Sequence, residues 1–197
     1  EALTLICRAT LGAERPAVFP AVTYSLYRTL VTNAGAAYTE IPMVERTGQP
    51  YSIDIEALAK SSEAVVFLAN PNAITGEYID AGRLAGIIAA SKSLWVVDEA
   101  YNDFAGPEAT MMKYITQLEN LVVTRTFSKT HALAGLRVGY LASGNQELMQ
   151  GLLAHKDSYN EDALATRLAA AALADKAWHE RTIRAVLAGR EFLRAEL

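Results

Sequence analysis

The chain has 197 residues, of which 51% are hydrophobic, so it is long enough to bury a sizeable core. Its net charge is −4 at pH 7 and it has no dense tract of lysine and arginine, which argues against a nucleic-acid partner. No apolar run approaches the length of a transmembrane helix and no signal peptide is visible, so we expect no membrane partner.

Short apolar segments alternate with helical segments, and the chain opens in helical periodicity. Six segments are predicted strands: Ala17–Phe19, Ala36–Ile41, Ala64–Ala69, Leu94–Val97, Leu121–Thr124 and Val138–Ala142. Helices are predicted over 23–34, 54–60, 80–91 and 111–118, and an Ala-rich helical region begins at Gln146. Continuous runs of Val and Leu are typical of strands buried on both faces. We therefore predict a three-layer α/β/α fold with a mostly parallel sheet.

The single cysteine, Cys7, excludes an internal disulfide and any metal site built from several cysteines. It lies in an apolar stretch, which favours a buried small hydrophobe over a reactive thiol. A reducing cytoplasmic location fits this usage. Both ends of the chain have the pattern of uncapped helices, so we expect residues 1–197 to be one domain of a longer protein.

Polar residues follow three consecutive predicted strands. Asn70-Pro-Asn72 comes after one strand, Asp98-Glu-Ala-Tyr101 after the next, and Thr126-Phe-Ser-Lys129 after the third. Ligands of open α/β sheets collect at the carboxyl ends of the strands. We therefore predict that these residues converge on one site at that edge of the sheet.

Lys129 is either a solvated surface charge or an amine held in a pocket to form a Schiff base. Small and hydroxyl residues surround it in the sequence, including Thr126 and Ser128, and they leave room for a bound group. Arg137, eight residues further on, offers a planar guanidinium that suits a phosphate. Taken alone, this segment leaves both interpretations open.

Asp98 follows an apolar run, so its carboxylate emerges desolvated and needs a partner. It is either a helix N-cap or the counter-ion of a protonated heterocyclic nitrogen, with the Tyr101 phenol nearby. A lysine, an aspartate and a phosphate-holding arginine together are what pyridoxal phosphate requires. In that interpretation Lys129 forms the Schiff base, Asp98 keeps the ring nitrogen protonated, and Ser128 with Arg137 holds the phosphate.

Four motifs in order resemble the class I/II aminotransferases, which have the pyridoxal-phosphate fold type I. They are Asn70-Pro-Asn-Ala-Ile-Thr-Gly76, Val97-Asp-Glu-Ala-Tyr101, Ser128-Lys129 and Ala134-Gly-Leu-Arg-Val-Gly139. The likeness spans nearly the whole chain. Within the family, the segments 125–137 and 156–160 most resemble the histidinol-phosphate aminotransferase branch.

The resemblance implies the large cofactor-binding domain of a homodimeric aminotransferase, without the N-terminal segment and the small C-terminal domain. It implies conversion of histidinol phosphate and 2-oxoglutarate to imidazole acetol phosphate and glutamate, a step of histidine biosynthesis in the cytoplasm. The catalytic roles fall to Lys129, Asp98 and Tyr101.

The resemblance also implies further cofactor contacts. Tyr24 would stack on the cofactor ring, and Thr126 and Asn72 would line its site. The family usually reads Asn-Pro-Asn-Asn-Pro-Thr-Gly, and the fourth residue bonds the ring oxygen. Ala73 stands there and cannot donate that bond, so either Asn72 reaches the ring or Tyr101 carries the contact alone.

Two other functions stay open at this stage. One keeps the cofactor and changes the reaction, as in an aromatic amino acid aminotransferase or a phospho-amino-acid decarboxylase of the same family. The other is a non-catalytic, pyridoxal-phosphate-sensing domain of a transcription regulator.

The remaining polar residues give weaker signals. His131 is interpreted as a hydrogen-bonded bystander, and His155 and His179 lack the spacing of metal ligands, so no metal is expected. Asp157 and Asn160 either approach the substrate or cap helices. Glu99 is expected to be structural.

Overall fold

The computed structural model describes residues 1–46 and 48–197. Its strands are β1 (Ala17–Pro20), β2 (Tyr38–Ile41), β3 (Val44–Arg46), β4 (Gln49–Ser52), β5 (Val65–Ala69), β6 (Leu94–Asp98), β7 (Leu121–Thr126) and β8 (Gly139–Ala142). Its α-helices are α1 (Ala2–Thr10), α2 (Leu26–Asn33), α3 (Ile55–Ala59), α4 (Ala81–Ala90), α5 (Gln146–Ala154), α6 (Ala163–Ala174) and α7 (Lys176–Glu196). Short 3-10 helices cover Asn102–Phe104, Pro107–Ala109, Met111–Tyr114 and Ala134–Leu136.

The main sheet has the strand order β2-β1-β5-β6-β7-β8, and β3 pairs with β4 in a separate hairpin. Neighbouring strands of the main sheet are parallel, except that β8 runs antiparallel to β7. The prediction of a mostly parallel sheet is confirmed. At Gly139, where β8 begins, a Cβ atom would lie 2.7 Å from the Arg125 carbonyl oxygen, so only glycine fits this approach.

The apolar strands have two buried faces because successive side chains point to opposite sides of the sheet. On one face, Val66, Leu68 and Val97 pack with the apolar residues of α3 and α4. On the other face, Phe19 and Phe67 pack with those of α1, α2 and α5. Helices therefore cover both faces of one sheet, which confirms the three-layer prediction.

The predicted helix over 111–118 is wrong, and the structure has a short 3-10 helix there. The Glu99 carboxylate accepts the backbone N–H of Met111, and the Thr110 hydroxyl accepts that of Met112, so side chains define this turn. The chain then turns again through Leu118, whose N–H donates to the Tyr114 carbonyl, before β7 begins.

The β3–β4 hairpin was missed because its segment is short and carries little apolar periodicity. The other element predictions hold to within a few residues at their ends. Cys7 is buried in α1, as expected, and burial raises the pKa of its thiol to about 12. In the part of the chain that the structure describes, no helix combines the length and apolarity needed to cross a membrane.

Candidate active site

A cavity of about 430 Å³ lies at the carboxyl edge of the main sheet. Its walls come from the ends of β5, β6 and β7, the start of β8, the first turn of α1 and the segment after β1. Most of the predicted site residues line it: Tyr24, Asp98, Tyr101, Thr126, Ser128, Lys129 and Arg137. The predicted convergence is therefore present for the residues after β6 and β7, whereas Asn70-Pro-Asn72, after β5, does not line the cavity.

Asp98 is the last residue of β6 and is 9% exposed. Its Oδ2 accepts the Tyr27 hydroxyl at 3.1 Å and its Oδ1 accepts the Ala100 N–H at 3.1 Å. Within residues 1–46 and 48–197, no basic side chain forms an ion pair with it. Desolvation raises the pKa of Asp98, although these two hydrogen bonds oppose the rise. A buried carboxylate without a cation is a favourable place for a protonated ring nitrogen.

Tyr27 is a residue of this site that the sequence analysis missed. It is 1% exposed, and its ring lies among those of Phe19, Phe67 and Tyr24. Burial raises the pKa of Tyr27, and the charge of Asp98 raises it further, so the phenol stays protonated and donates. Tyr27 lies in the first turn of α2, and Tyr24 lies in the turn just before that helix, where its carbonyl accepts the Tyr27 N–H at 3.2 Å. The three-residue spacing of the two tyrosines was the available signal.

Lys129 lies in the loop that follows β7, with its side chain exposed toward the cavity. Its Nζ lies 4.8 Å from the centroid of the Tyr101 ring, within the range of a cation–π contact. Local bonds hold the loop: the Thr126 hydroxyl accepts the Ser128 N–H at 3.1 Å, and the Lys129 carbonyl accepts the Ala132 N–H at 2.9 Å. The amine is thus presented by a backbone that is bonded on both sides of it.

The region around Arg137 suits an anion. Arg137 is exposed at the cavity, in the left-handed region at φ 55°, and its guanidinium donates to the Ala134 carbonyl at 3.1 Å. Ser128 borders the same space, as does the first turn of α1, where backbone N–H groups lack intrahelical acceptors. A guanidinium, a hydroxyl and a helix N-terminus together could hold a phosphate group.

Asn72 is the predicted site residue that the structure does not bring to the cavity. It is 2% exposed, its Nδ2 donates to the Val22 carbonyl at 2.9 Å, and its Oδ1 accepts the N–H groups of Ile74 and Thr75. Its amide therefore shapes the turn after β5. Ala73 and Tyr101 line the cavity instead.

The family model described as aminotransferase class I and II matches residues 1–197. The chain belongs to the class I and II aminotransferase family.

Several similar relatives and solved structures carry the name histidinol-phosphate aminotransferase. Histidinol-phosphate aminotransferase 1 of Trichormus variabilis is 37% identical over 197 residues, covering 100% of this chain and 54% of the relative. Its namesake from Pseudomonas aeruginosa is 39% identical over 201 residues, covering 100% of this chain and 55% of the relative. The crystal structure of histidinol-phosphate aminotransferase from Sinorhizobium meliloti, in complex with pyridoxal-5'-phosphate, has a TM-score of 0.86 at 25% identity. That match covers 96% of this chain and 52% of the other.

This aminotransferase-family chain therefore spans about half the length of the curated relatives it matches. The family model and both relatives match the whole of residues 1–197, which contain every segment that lines the cavity.

An ion-pair network lies next to the cavity in this aminotransferase domain, and its Arg125 lines the cavity. Buried Glu99 accepts the Arg125 Nε at 2.9 Å and the Thr110 hydroxyl at 2.8 Å. Arg125 also donates to Asn102 at 2.8 Å and to Asp103 at 3.2 Å. Burial lowers the pKa of Arg125, but Glu99, Tyr140 and Asp103 together outweigh this effect, so the pKa is raised. The network ties the segment after Tyr101 to β7, and Glu99 is structural, as expected.

The histidines differ from expectation. His131 stacks on His179, with ring centroids 4.3 Å apart and planes at 8°. Among the described residues, its buried Nδ1 has no hydrogen-bond partner, so the interpretation as a hydrogen-bonded bystander is wrong. His155 Nδ1 lies 2.9 Å from the Gly151 carbonyl at the end of α5.

Asp157 and Asn160, the two polar residues after α5, differ in their position relative to the cavity. Asn160 lines the cavity and accepts a bond from the Lys156 amine at 2.7 Å, whereas Asp157 is exposed and does not border the cavity. Asn160 is thus the one of the two that can approach a bound substrate.

Proposed function

We propose that this chain is the cofactor-binding domain of a pyridoxal-phosphate-dependent aminotransferase. The supporting observation is that Lys129, Asp98 and Arg137 border a single cavity although they arrive from different segments of the fold. A nucleophilic amine, a buried carboxylate without a cation, and an anion-binding corner match the three chemically distinct parts of that cofactor.

The residues in the cavity fit the group part by part. When bound, pyridoxal phosphate supplies an aldehyde carbon that condenses with amines and a ring that withdraws electrons. Asp98 would hold the ring nitrogen in its protonated form, and the exposed Tyr24 ring would lie against the face of the ring. Ser128 and Arg137 would hold the phosphate.

Lys129 carries the chemistry of the proposed reaction. Its Nζ would hold the cofactor covalently at rest. Once an amino donor displaces it, the freed Nζ would act as the general base that takes the proton from the donor's α-carbon. The Tyr101 ring, 4.8 Å from that nitrogen, would keep the amine over the reacting atoms. The Asp98 carboxylate would supply the negative charge that stabilises a positive ring nitrogen.

The proposed reaction converts histidinol phosphate and 2-oxoglutarate to imidazole acetol phosphate and glutamate. It is supported by relatives of that name at 37% and 39% identity over the whole chain. Residues 1–197 would be the large domain, and a small domain outside them would complete the substrate site.

We also propose that the enzyme is a cytoplasmic homodimer. Support for assembly comes from large apolar side chains that α6 and α7 leave exposed, such as Leu164, Trp178 and Phe192. The buried, lone Cys7 is compatible with a reducing compartment.

A donor comparison on the full-length protein tests the substrate. We expect the highest kcat/KM with L-histidinol phosphate and 2-oxoglutarate, and a large loss with dephosphorylated L-histidinol as the matched control. Phenylalanine, tyrosine and O-phosphothreonine are the competing donors. A preference of tenfold or more for an aromatic amino acid, about 1.4 kcal/mol, would assign the enzyme to a different branch.

Arg137→Ala should weaken cofactor affinity more than it slows the reaction at saturating cofactor. Charge-assisted bonds to phosphate contribute roughly 1.5–3 kcal/mol each, so the dissociation constant should rise about ten- to a hundred-fold. Equilibrium dialysis with absorbance detection measures this. Arg184→Ala, a change at an exposed arginine of α7, is the control and should retain wild-type affinity. If both variants bound the cofactor with wild-type affinity, Arg137 would not be part of the phosphate site.

A further inference from the structure

A cluster of metal-ligating side chains lies outside the cavity. Asp103, His131 and His179 each offer a ligand atom, and these atoms lie within 4.8 Å of one another. None of the three borders the cavity. They come from the 3-10 segment after β6, the loop after β7 and the first turns of α7, so only the folded chain brings them together.

We propose that Asp103, His131 and His179 form a binding site for one Zn²⁺ ion. Two imidazoles and one carboxylate are a ligand set that zinc accepts, with water as the fourth ligand. This site is independent of the reaction proposed above.

Two of the three ligand atoms are already close together. The His179 Nε2 lies 3.0 Å from Asp103 Oδ2, and two ligand atoms on a tetrahedral zinc ion are about 3.4 Å apart when each bond is about 2.0–2.1 Å. An imidazole binds a metal in the plane of its ring, so the stacked His131 and His179 rings, whose planes lie at 8°, must turn apart before both can reach one ion. Both side chains are only partly buried, which leaves them space to turn.

The carboxylate of Asp103 is already oriented. Arg125 donates to its Oδ1 at 3.2 Å, and the Thr130 hydroxyl donates to its Oδ2 at 2.5 Å. Such outer hydrogen bonds fix ligating carboxylates in metal sites. The positive charge of Arg125 is balanced by buried Glu99, at 2.7 Å, so Asp103 leaves a net negative charge for the ion.

His131 supplies the second observation. Its Nδ1 is buried and, in the described part of the chain, has no hydrogen-bond partner. A Zn²⁺ ion here would use a nitrogen that the protein itself leaves unsatisfied.

The test is zinc binding by the full-length, cofactor-loaded protein after treatment with a chelator. Isothermal titration with Zn²⁺ should show one site per chain, and the Tm should rise on addition of zinc because the ion binds only the folded chain. His131→Phe and His179→Gln should each weaken binding by about tenfold or more. His155→Gln, at the exposed end of α5, is the matched control and should bind like wild type.

Spectroscopy of the unmutated protein keeps the proposal testable if a variant fails to fold. Electron paramagnetic resonance of the Cu²⁺-loaded protein should show coupling to two imidazole nitrogens. Absence of binding at millimolar Zn²⁺, fewer than two nitrogens, or wild-type affinity in the folded His131→Phe and His179→Gln variants would each overturn the proposal. Loss of binding in His155→Gln would place the ion on the surface and overturn it as well.

Discussion

Replacing Lys129 by alanine should abolish covalent attachment of pyridoxal phosphate and reduce turnover by about 10⁴-fold, the upper range for losing a general base. The reason is that one nitrogen both holds the cofactor and moves the α-proton in the proposed reaction. Attachment is measured by borohydride reduction followed by peptide mapping, and turnover by glutamate formation.

Lys92→Ala is the matched control for this change. Lys92 is exposed just before β6, at the opposite edge of the sheet from the cavity, so its loss should affect neither attachment nor turnover. Recovery of the pyridoxyl label on Lys92, Lys113 or Lys156 of the unmutated protein would show that Lys129 is not the attachment site.

Asp98→Asn should lower turnover by on the order of 10² or more while covalent attachment to Lys129 persists. An amide has no charge with which to stabilise a protonated ring nitrogen. Steady-state rates measured beside the absorbance of the bound cofactor separate the two effects. Glu119→Gln, an exposed change shortly before β7, is the control and should behave like wild type. Near-normal turnover in Asp98→Asn would mean that another residue partners the ring nitrogen.

The cofactor-free protein gives a second measurement on Asp98. Its pKa is raised in the folded state by burial, so the folded chain binds the proton more tightly than the unfolded chain. Its contribution to the free energy of unfolding is therefore greatest below the unfolded pKa of about 3.9 and falls as pH rises through the folded pKa. Asp98→Asn should lack this fall in denaturant unfolding across that range. In the wild-type protein, bound cofactor should reduce this fall in the free energy of unfolding.

The sheet could be predicted because unbroken apolar runs specify strands buried on both faces, and the site could be placed because such strands deliver ligands at their carboxyl ends. The predicted helix over 111–118 failed for a physical reason. Its pattern was apolar enough for a helix, but the buried Glu99 carboxylate takes the Met111 N–H and redirects the chain. A side chain distant in sequence thus overrode local propensity.

Side-chain partners were the part that the sequence could not supply. Asn72 was assigned to the cofactor by analogy, yet three hydrogen bonds commit its amide to a turn. Tyr27 was not singled out in the sequence, and its bond to Asp98 joins residues 71 positions apart. The stacking of His131 on His179 likewise depends on where α7 lies. Such pairs follow from packing, which no local pattern encodes.

The antiparallel return of β8 also bears on how the chain folds. One loop, residues 127–138, joins the neighbouring strands β7 and β8. Lys129 and Arg137 both lie in this loop, so they are close in sequence and close to the same strand ends. Tyr24 and Asp98 share the cavity only after β1 and β6 have both joined β5. Closing the short loop costs little entropy, whereas the long-range pairing costs more and forms more slowly. We therefore expect Lys129 and Arg137 to come together early in folding, as part of a local unit, and Tyr24 and Asp98 to join them only when the sheet is complete.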